Sequence, residues 1–435
     1  MPTADTIATR FRDALGDDAG HTGDLAARWS CGGTVPQCVV EPDTVEATAA
    51  AIGIGREHGL AMIPVGNGTT LQVGWPPRGF DVALSTRRMH RLIDHNAADM
   101  TITLQAGVTL AALDTMLARA EQWLPLDPPR PDTMTVGGLI AADRNGPQRL
   151  AYGRVRDYLI GVQVVMADGS IVRGGGRVVK NVAGYDLPKL LIGSYGTLGV
   201  IAEATFKVRP RPAERRTYVS PAASLAEAAQ RALQLLDGPG VTFVEVVNAA
   251  AARSCGCASG PAVIVGCAGS RSVVEECTMH LLQRSDWAVR PCEQPEGDAM
   301  YCALRSFPEA ANDQMLVARI SLLPAALASL LDRLETEAAT RSIVVEVAAH
   351  AGNGIAWCRA HGPEDTLAIG LFAEWLRQAV RAAQGWVVFE YVPSALRMQV
   401  DPWGFTERSL PIMMRIKRAL DPQCVFSPGR FVGRI

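Results

Sequence analysis

Apolar residues recur every three or four positions between 43 and 58, where Val45, Ala49 and Ile52 share a face. Asp43 with Glu46 reads as a capping box at the start of this stretch and Gly59 as its stop, so the pattern predicts a helix. Short apolar runs follow. Residues 60–65, 81–86 and 100–107 predict strands, and 109–120 a second helix. The proline-rich stretch 123–132 fits neither period. Residues 158–175 read as a hairpin turning at Asp168-Gly169, and a glycine-punctuated run from Asp186 closes this half at Pro210.

Residues 209–216, "RPRPAERR", have the proline and charge content of a linker. Beyond it, strand-like runs at 241–248, 262–268, 315–322, 342–350, 353–358 and 386–392 alternate with helix-like runs at 272–284, 324–338 and 364–384. This order predicts one antiparallel sheet backed by helices on one face, an α+β unit. The tail, "IMMRIKRALDPQCVFSPGRF", predicts a helix followed by an extended segment. A chain of 435 residues exceeds one ordinary core, so several domains are expected.

Composition removes several function classes. A formal net charge of −2 with no basic stripe argues against a nucleic-acid partner. No signal peptide and no membrane-spanning run stands out, so a cytoplasmic protein with no direct membrane span is expected, at most peripheral at the inner membrane through partners. The ten cysteines form neither zinc-type pairs nor an iron–sulfur run, which predicts incidental thiols.

Candidate chemistry concentrates in glycine. "PVGNGTT", residues 64–70, follows a predicted strand. It lacks the lysine of a nucleotide P-loop. Gly66, Gly68 and Gly74 have the wrong spacing for a dinucleotide-binding helix, and the prolines at 76 and 77 forbid a helix there. A tight loop with free N–H groups remains, suited to an anion such as a diphosphate. Two further glycine clusters, "TVGGLIAADRNG" from Thr135 and "GSYGTLGVIAEATF" from Gly193, suggest one long ligand crossing the backbone at three places.

Taken with the block from Tyr152 to Glu203, this order resembles the vanillyl-alcohol-oxidase, or PCMH-type, FAD-binding family, and within it the FAD-binding subunits of glycolate oxidase (glycolate dehydrogenase). The resemblance implies a two-subdomain FAD-binding domain at 31–212 after an N-terminal extension at 1–30. An α+β antiparallel-sheet cap at 213–400 and a C-terminal segment at 401–435 returning to the FAD domain complete the expected plan. It places Pro64, Gly66, Asn67, Gly68, Thr69 and Thr70 at the FAD diphosphate, and Thr135, Gly137, Gly138 and Ala141 along the ribityl chain and ring. Gly193, Gly196, Gly199, Val200 and Ile201 are assigned to the adenine and ribose end. Lys180, Gly184, Tyr185 and Asp186 lie in the same block, Asp186 also reading as a helix cap. The loop contains no histidine, and His90 and His95 lie in a connection, so FAD is expected to be non-covalent.

Related 2-hydroxy acid dehydrogenases carry His-x-Gly-Asp-Gly-Asn-x-His and a later Glu-His-Gly for metal and substrate. Here "HAGNGIAW" keeps His350 but has Asn353 and Trp357 at the other key positions, and no Glu-His-Gly occurs. No metal is expected, since one histidine cannot hold a divalent ion tightly. Arg359 and Arg397 are candidates for a substrate carboxylate, and Ser427 stands where many relatives have asparagine. The departures imply an FAD subunit relaying electrons from a catalytic FAD dehydrogenase subunit to an iron–sulfur subunit, docking near Trp403 and Phe405. The alternatives are a self-sufficient FAD-dependent 2-hydroxy acid dehydrogenase and a flavin-less scaffold.

Overall fold

A computed structural model describes residues 3–176, 186–257, 260–362, 366–404 and 408–435. Lys180, Gly184, Tyr185 and Phe405 lie outside them. Two sheets build the first half. In the smaller, the strands Cys38–Val40 and Met62–Val65 flank Val82–Ser85 and both run parallel to it. The helix Val45–Glu57 connects two of them. Its cap is Thr44, whose hydroxyl accepts from the Ala47 N–H at 3.0 Å. Asp43 instead lies 3.8 Å from Arg88, so the expected Asp43–Glu46 capping box gives way to a threonine cap one residue later.

The N-terminal stretch is part of this layer. The helix Ala4–Leu15 buries Ile7, Ala8 and Phe11 in one core with Val40, Ile52, Met62 and Leu84. Gly20–His21 pairs with Cys38–Val40 at the sheet edge. The second sheet is antiparallel, in the order Leu92–Asn96, Thr101–Gln105, Val200–Lys207, Leu159–Val165 and Ile171–Gly175. Its last two strands form the expected hairpin, with Gly169 at φ 84° in the turn.

The stretch 209–216 is not a linker. Arg209–Pro210 pairs with Gln122–Trp123, and Glu214–Pro221 is a full strand of the next sheet, paired with Ala262–Gly269. Its charges sit at the strand's entry, whereas Thr217, Tyr218, Val219 and Ser220 are buried. The apolar run was therefore masked by charged neighbours rather than absent.

The cap is one eight-stranded sheet. The helices Leu225–Leu233, Arg271–Leu282, Pro324–Thr340 and Thr366–Ala382 contribute to the core on one face. On the other face Ala249–Ser254 and Gln294–Ser306 pack only part of the surface, around Phe243, Val317 and Trp357. Strand register sets what else this face carries. Glu245 lies opposite His350, Ala348 opposite Trp357, Trp357 opposite Arg319, and Arg319 opposite Val388, two residues before Glu390. The period of two puts Glu245, His350, Trp357, Arg319 and Glu390 on one face.

The tail returns to the first half. Met62 donates to Val425 O at 2.8 Å and Ser427 N donates to Met62 O at 2.9 Å, extending the smaller sheet. The helix Leu410–Leu420 is anchored by buried Lys417, whose Nζ donates to Thr197 O, Asp421 Oδ2 and Phe426 O at 2.7, 2.7 and 2.8 Å. Among the described residues no helix is long and apolar enough to cross a membrane.

Candidate active site

The strand Met62–Val65 ends at the floor of a cleft. The three glycine clusters meet there. Pro64 and Gly66 to Thr70 form one wall, Thr135, Gly137, Gly138 and Ala141 a second, and Gly196, Gly199, Val200 and Ile201 a third. Gly193 is the one expected ligand that does not line the cleft. Its N–H is used on Ile140 O at 3.0 Å, holding the third wall against the second. The N–H groups of residues 66–70 meet no acceptor among the described residues. Gly68 has φ 73°, which favours glycine. Gly66 packs so closely that a Cβ would stand 2.1 Å from Thr135 Oγ1. That hydroxyl also caps the helix Val136–Ala142 by accepting from Gly138 N at 3.2 Å.

Thr86, Tyr195 and Arg430 also line the cleft and were not expected. Arg430 comes from the tail, donates through Nη2 to Leu71 O and Val73 O at 2.6 and 2.8 Å, and keeps a buried Nε without a partner. Nothing local in "SPGRF" marks it, because the contact closes over more than 350 residues. Tyr195 leans on Trp403, ring centroids 5.0 Å apart. Trp403 is buried and bonds Arg430 O at 3.0 Å, so it packs the cleft wall and offers no docking surface. Ser427 is buried and donates to Gly196 O at 3.2 Å.

A second, narrower pocket opens where the cleft's second wall continues. Ala141 and Ala142 line the cleft, and the next residues, Asp143, Arg144 and Asn145, line this pocket with Arg149, Arg319, His350, Trp357 and Glu390. It has room for about one water molecule. Arg144 reaches across the seam to an ion pair with Glu390 and lies over the Trp357 ring. Arg319 Nε stands 3.0 Å from the other Glu390 oxygen. His350 Nδ1 meets Glu245 Oε1 at 2.5 Å, both side chains buried. Arg359 pairs with Glu346 and Arg397 with Asp313, so neither candidate arginine lines this pocket. No group of three or more His, Cys, Asp or Glu able to hold a metal occurs among the described residues.

Farther along the seam, Asp127 accepts from Gly146 N, Gln148 N and the Tyr301 hydroxyl at 3.1, 2.9 and 3.0 Å. Burial pushes its carboxyl up to about 6 against these hydrogen bonds.

Comparison with known proteins decides the first half. Residues 36–175 match the FAD binding domain family. This part of the chain is an FAD-binding domain. The flavin domain and cap together superpose on p-cresol methylhydroxylase with substrate bound, with a TM-score of 0.79 at 14% identity over 98% of this chain and 96% of that one. The fold is therefore the PCMH-type flavin fold with an antiparallel cap. The glycolate oxidase subunit GlcD of Bacillus subtilis is 32% identical over 224 residues, covering 49% of this chain and 48% of that protein. The subunit GlcE of Escherichia coli is 37% identical over 163 residues, 36% of this chain and 47% of that protein. The matches thus span about half the length of these two relatives. A probable mitochondrial D-lactate dehydrogenase of Danio rerio is 27% identical over 464 residues, 98% of this chain and 91% of that protein.

FAD is the cofactor, and the cleft fits it. The wall is backbone and small side chains, the loop donors at 66–70 are free, and Arg430 supplies a cation for an anionic linker.

Proposed function

We propose that this chain is an FAD-dependent oxidoreductase that oxidises 2-hydroxy acids at the seam between flavin domain and cap. One observation carries the reading: the cleft wall runs through Ala142 directly into the arginine-rich pocket at Asp143–Asn145, so cofactor and an anionic substrate have adjoining places. The D-lactate dehydrogenase likeness over 98% of the chain supports a protein that acts by itself. In this reading the 66–70 loop and Arg430 hold the FAD diphosphate, the 135–141 wall the ring side, and the 196–201 wall the adenosine side, all without a covalent bond. Bound FAD supplies a two-electron acceptor. His90 and His95 bond Arg87 O and Gln122 and lie off the cleft.

A second reading keeps the chain as an FAD subunit that takes electrons from a catalytic flavoprotein and passes them to an iron–sulfur partner. The GlcE likeness and the narrowness of the cap pocket favour it. Anaerobic stopped-flow separates the two. The flavin-loaded chain alone, mixed with glycolate or D-lactate, bleaches near 450 nm at a catalytic rate if it is a dehydrogenase in its own right. Bleaching that appears only with co-expressed partners replaces that reading with the relay.

A further inference from the structure

A third cavity, of about 360 Å³, opens on the far side of Asp127 and shares no lining residue with the FAD cleft or the cap pocket. Both domains build it. On the helix Leu110–Ala118, Leu110, Leu113 and Asp114 share a face by their spacing of three and four, and Leu124 and Pro128 extend the apolar lining. The cap supplies Arg215 at the entry of the strand Glu214–Pro221, with Tyr301 and Arg305 one turn apart on the helix Gln294–Ser306.

Two of the three arginines at this cavity are uncommitted. Arg211 donates through Nη2 to Asp114 Oδ1 at 2.6 Å, and Asp127 already accepts from three donors. The Arg215 guanidinium lies 4.6 Å over the Trp123 ring and makes no ion pair or hydrogen bond among the described residues. Arg305 lies 5.8 Å over the Tyr301 ring, reaches only the Cys302 sulfur at 3.9 Å and keeps a buried Nε without a partner. Both rings are fixed. Trp123 Nε1 donates to Pro210 O at 3.1 Å, and Tyr301 stacks on Phe243 with centroids 5.6 Å apart. A guanidinium stacked by its face keeps its N–H edge oriented for a carboxylate. Burial and then Asp127 raise the Tyr301 pKa while Arg305 and Arg215 lower it, so both cations bear on the same hydroxyl.

We infer that this cavity binds a monocarboxylate with an apolar body, an aryl or medium-chain acid, its carboxylate on Arg215 and Arg305 and its body against Leu113, Leu124 and Pro128. Two guanidinium groups free of ion pairs select an anion, and the leucine and proline lining favours an organic acid over a fully hydrated ion. The ligand would touch both domains and so clamp the cap to the flavin domain. It is not the substrate. Asp127 stands between, its oxygens holding Gly146 N and Gln148 N, whose neighbours Asn145 and Arg149 line the cap pocket. The site is the same under either electron-transfer reading above.

The test is calorimetric titration of the FAD-loaded chain with benzoate and octanoate, beside benzamide and inorganic phosphate. The acids are expected to bind at one site per chain, at least about tenfold more tightly than either control. Arg215→Met and Arg305→Met keep an alkyl stem and remove the cation. Each is expected to weaken the acids about tenfold or more with FAD content unchanged. Saturating octanoate is expected to raise the thermal midpoint of the parent and not that of the double variant. If Arg305→Met fails to fold, Arg215→Met carries the test, since Arg215 is exposed at the strand's entry. Acid affinity within about threefold of the parent in both variants places the carboxylate elsewhere and overturns the site, as does a parent that binds neither acid in the millimolar range. Benzamide or phosphate binding as tightly as the acids overturns the ligand class. Acid binding without a rise in the midpoint overturns the clamp.

Discussion

Gly66 has a reason beyond loop flexibility. A Cβ there would meet the Thr135 hydroxyl at 2.1 Å, and that hydroxyl caps the helix forming the second wall of the cleft. Gly66→Ala is expected to push the two walls apart and to weaken FAD at least about tenfold, with a stability loss of about 1–3 kcal/mol. Fluorescence titration of apoprotein with FAD, beside a thermal melt, checks both. Asp127 makes a different prediction. Its folded pKa of about 6 lies above the ordinary 3.8, so the folded chain holds the extra proton between those values. Its contribution to stability is therefore full below about 4 and is lost as pH rises through 6. The Tyr301 hydroxyl offsets that loss by donating to the ionised form. Tyr301→Phe is expected to cost about 1 kcal/mol more at pH 8 than at pH 5 in urea melts, since hydrogen bonds to charged groups are the stronger. At this scale much of the cleft was legible in the sequence, because glycine clusters mark close backbone approach. Arg430 and Tyr195 were not, since a single arginine or tyrosine gains its meaning only from distant neighbours.

Among the elements, strand-like runs predicted six cap strands, and their register then assembled the polar row of Glu245, His350, Trp357, Arg319 and Glu390. Alternation within one strand predicts a face but never which strand lies beside it, so the row was invisible before the fold. The strand Glu214–Pro221 was missed because three charged residues open it, and the helix Gln294–Ser306 because its apolar positions are sparse. The tail helix carries a further prediction. Lys417 and Asp421 are both buried, and the lysine makes three hydrogen bonds that tie the tail to Thr197 and Phe426. Lys417→Met leaves Asp421 as an unpaired buried charge and is expected to cost about 3–5 kcal/mol. Lys417→Met/Asp421→Asn is expected to cost less. Because the same tail delivers Arg430 to the cleft, the single variant should also lower FAD occupancy, seen in the ratio of absorbance at 450 to 280 nm.

Over the whole molecule, the flavin domain supplies a backbone-walled cleft and the cap a charged sheet face, and the stretch 141–145 belongs to both. This division explains why "HAGNGIAW" reads as a depleted metal motif in the sequence yet occupies a coherent site in the fold. Trp357 and the guanidinium of Arg144 fill the place around His350. Acid precipitation is expected to leave the yellow colour in the supernatant, and colour in the pellet would refute non-covalent FAD. The most direct test of the account is a crystal structure of the FAD-loaded chain with oxalate. The account predicts the FAD diphosphate on the 66–70 loop and the oxalate in the adjoining pocket at Asp143–Asn145. FAD outside the three glycine walls, or oxalate bound away from the cap pocket with the Arg144–Glu390 pair intact, would contradict it.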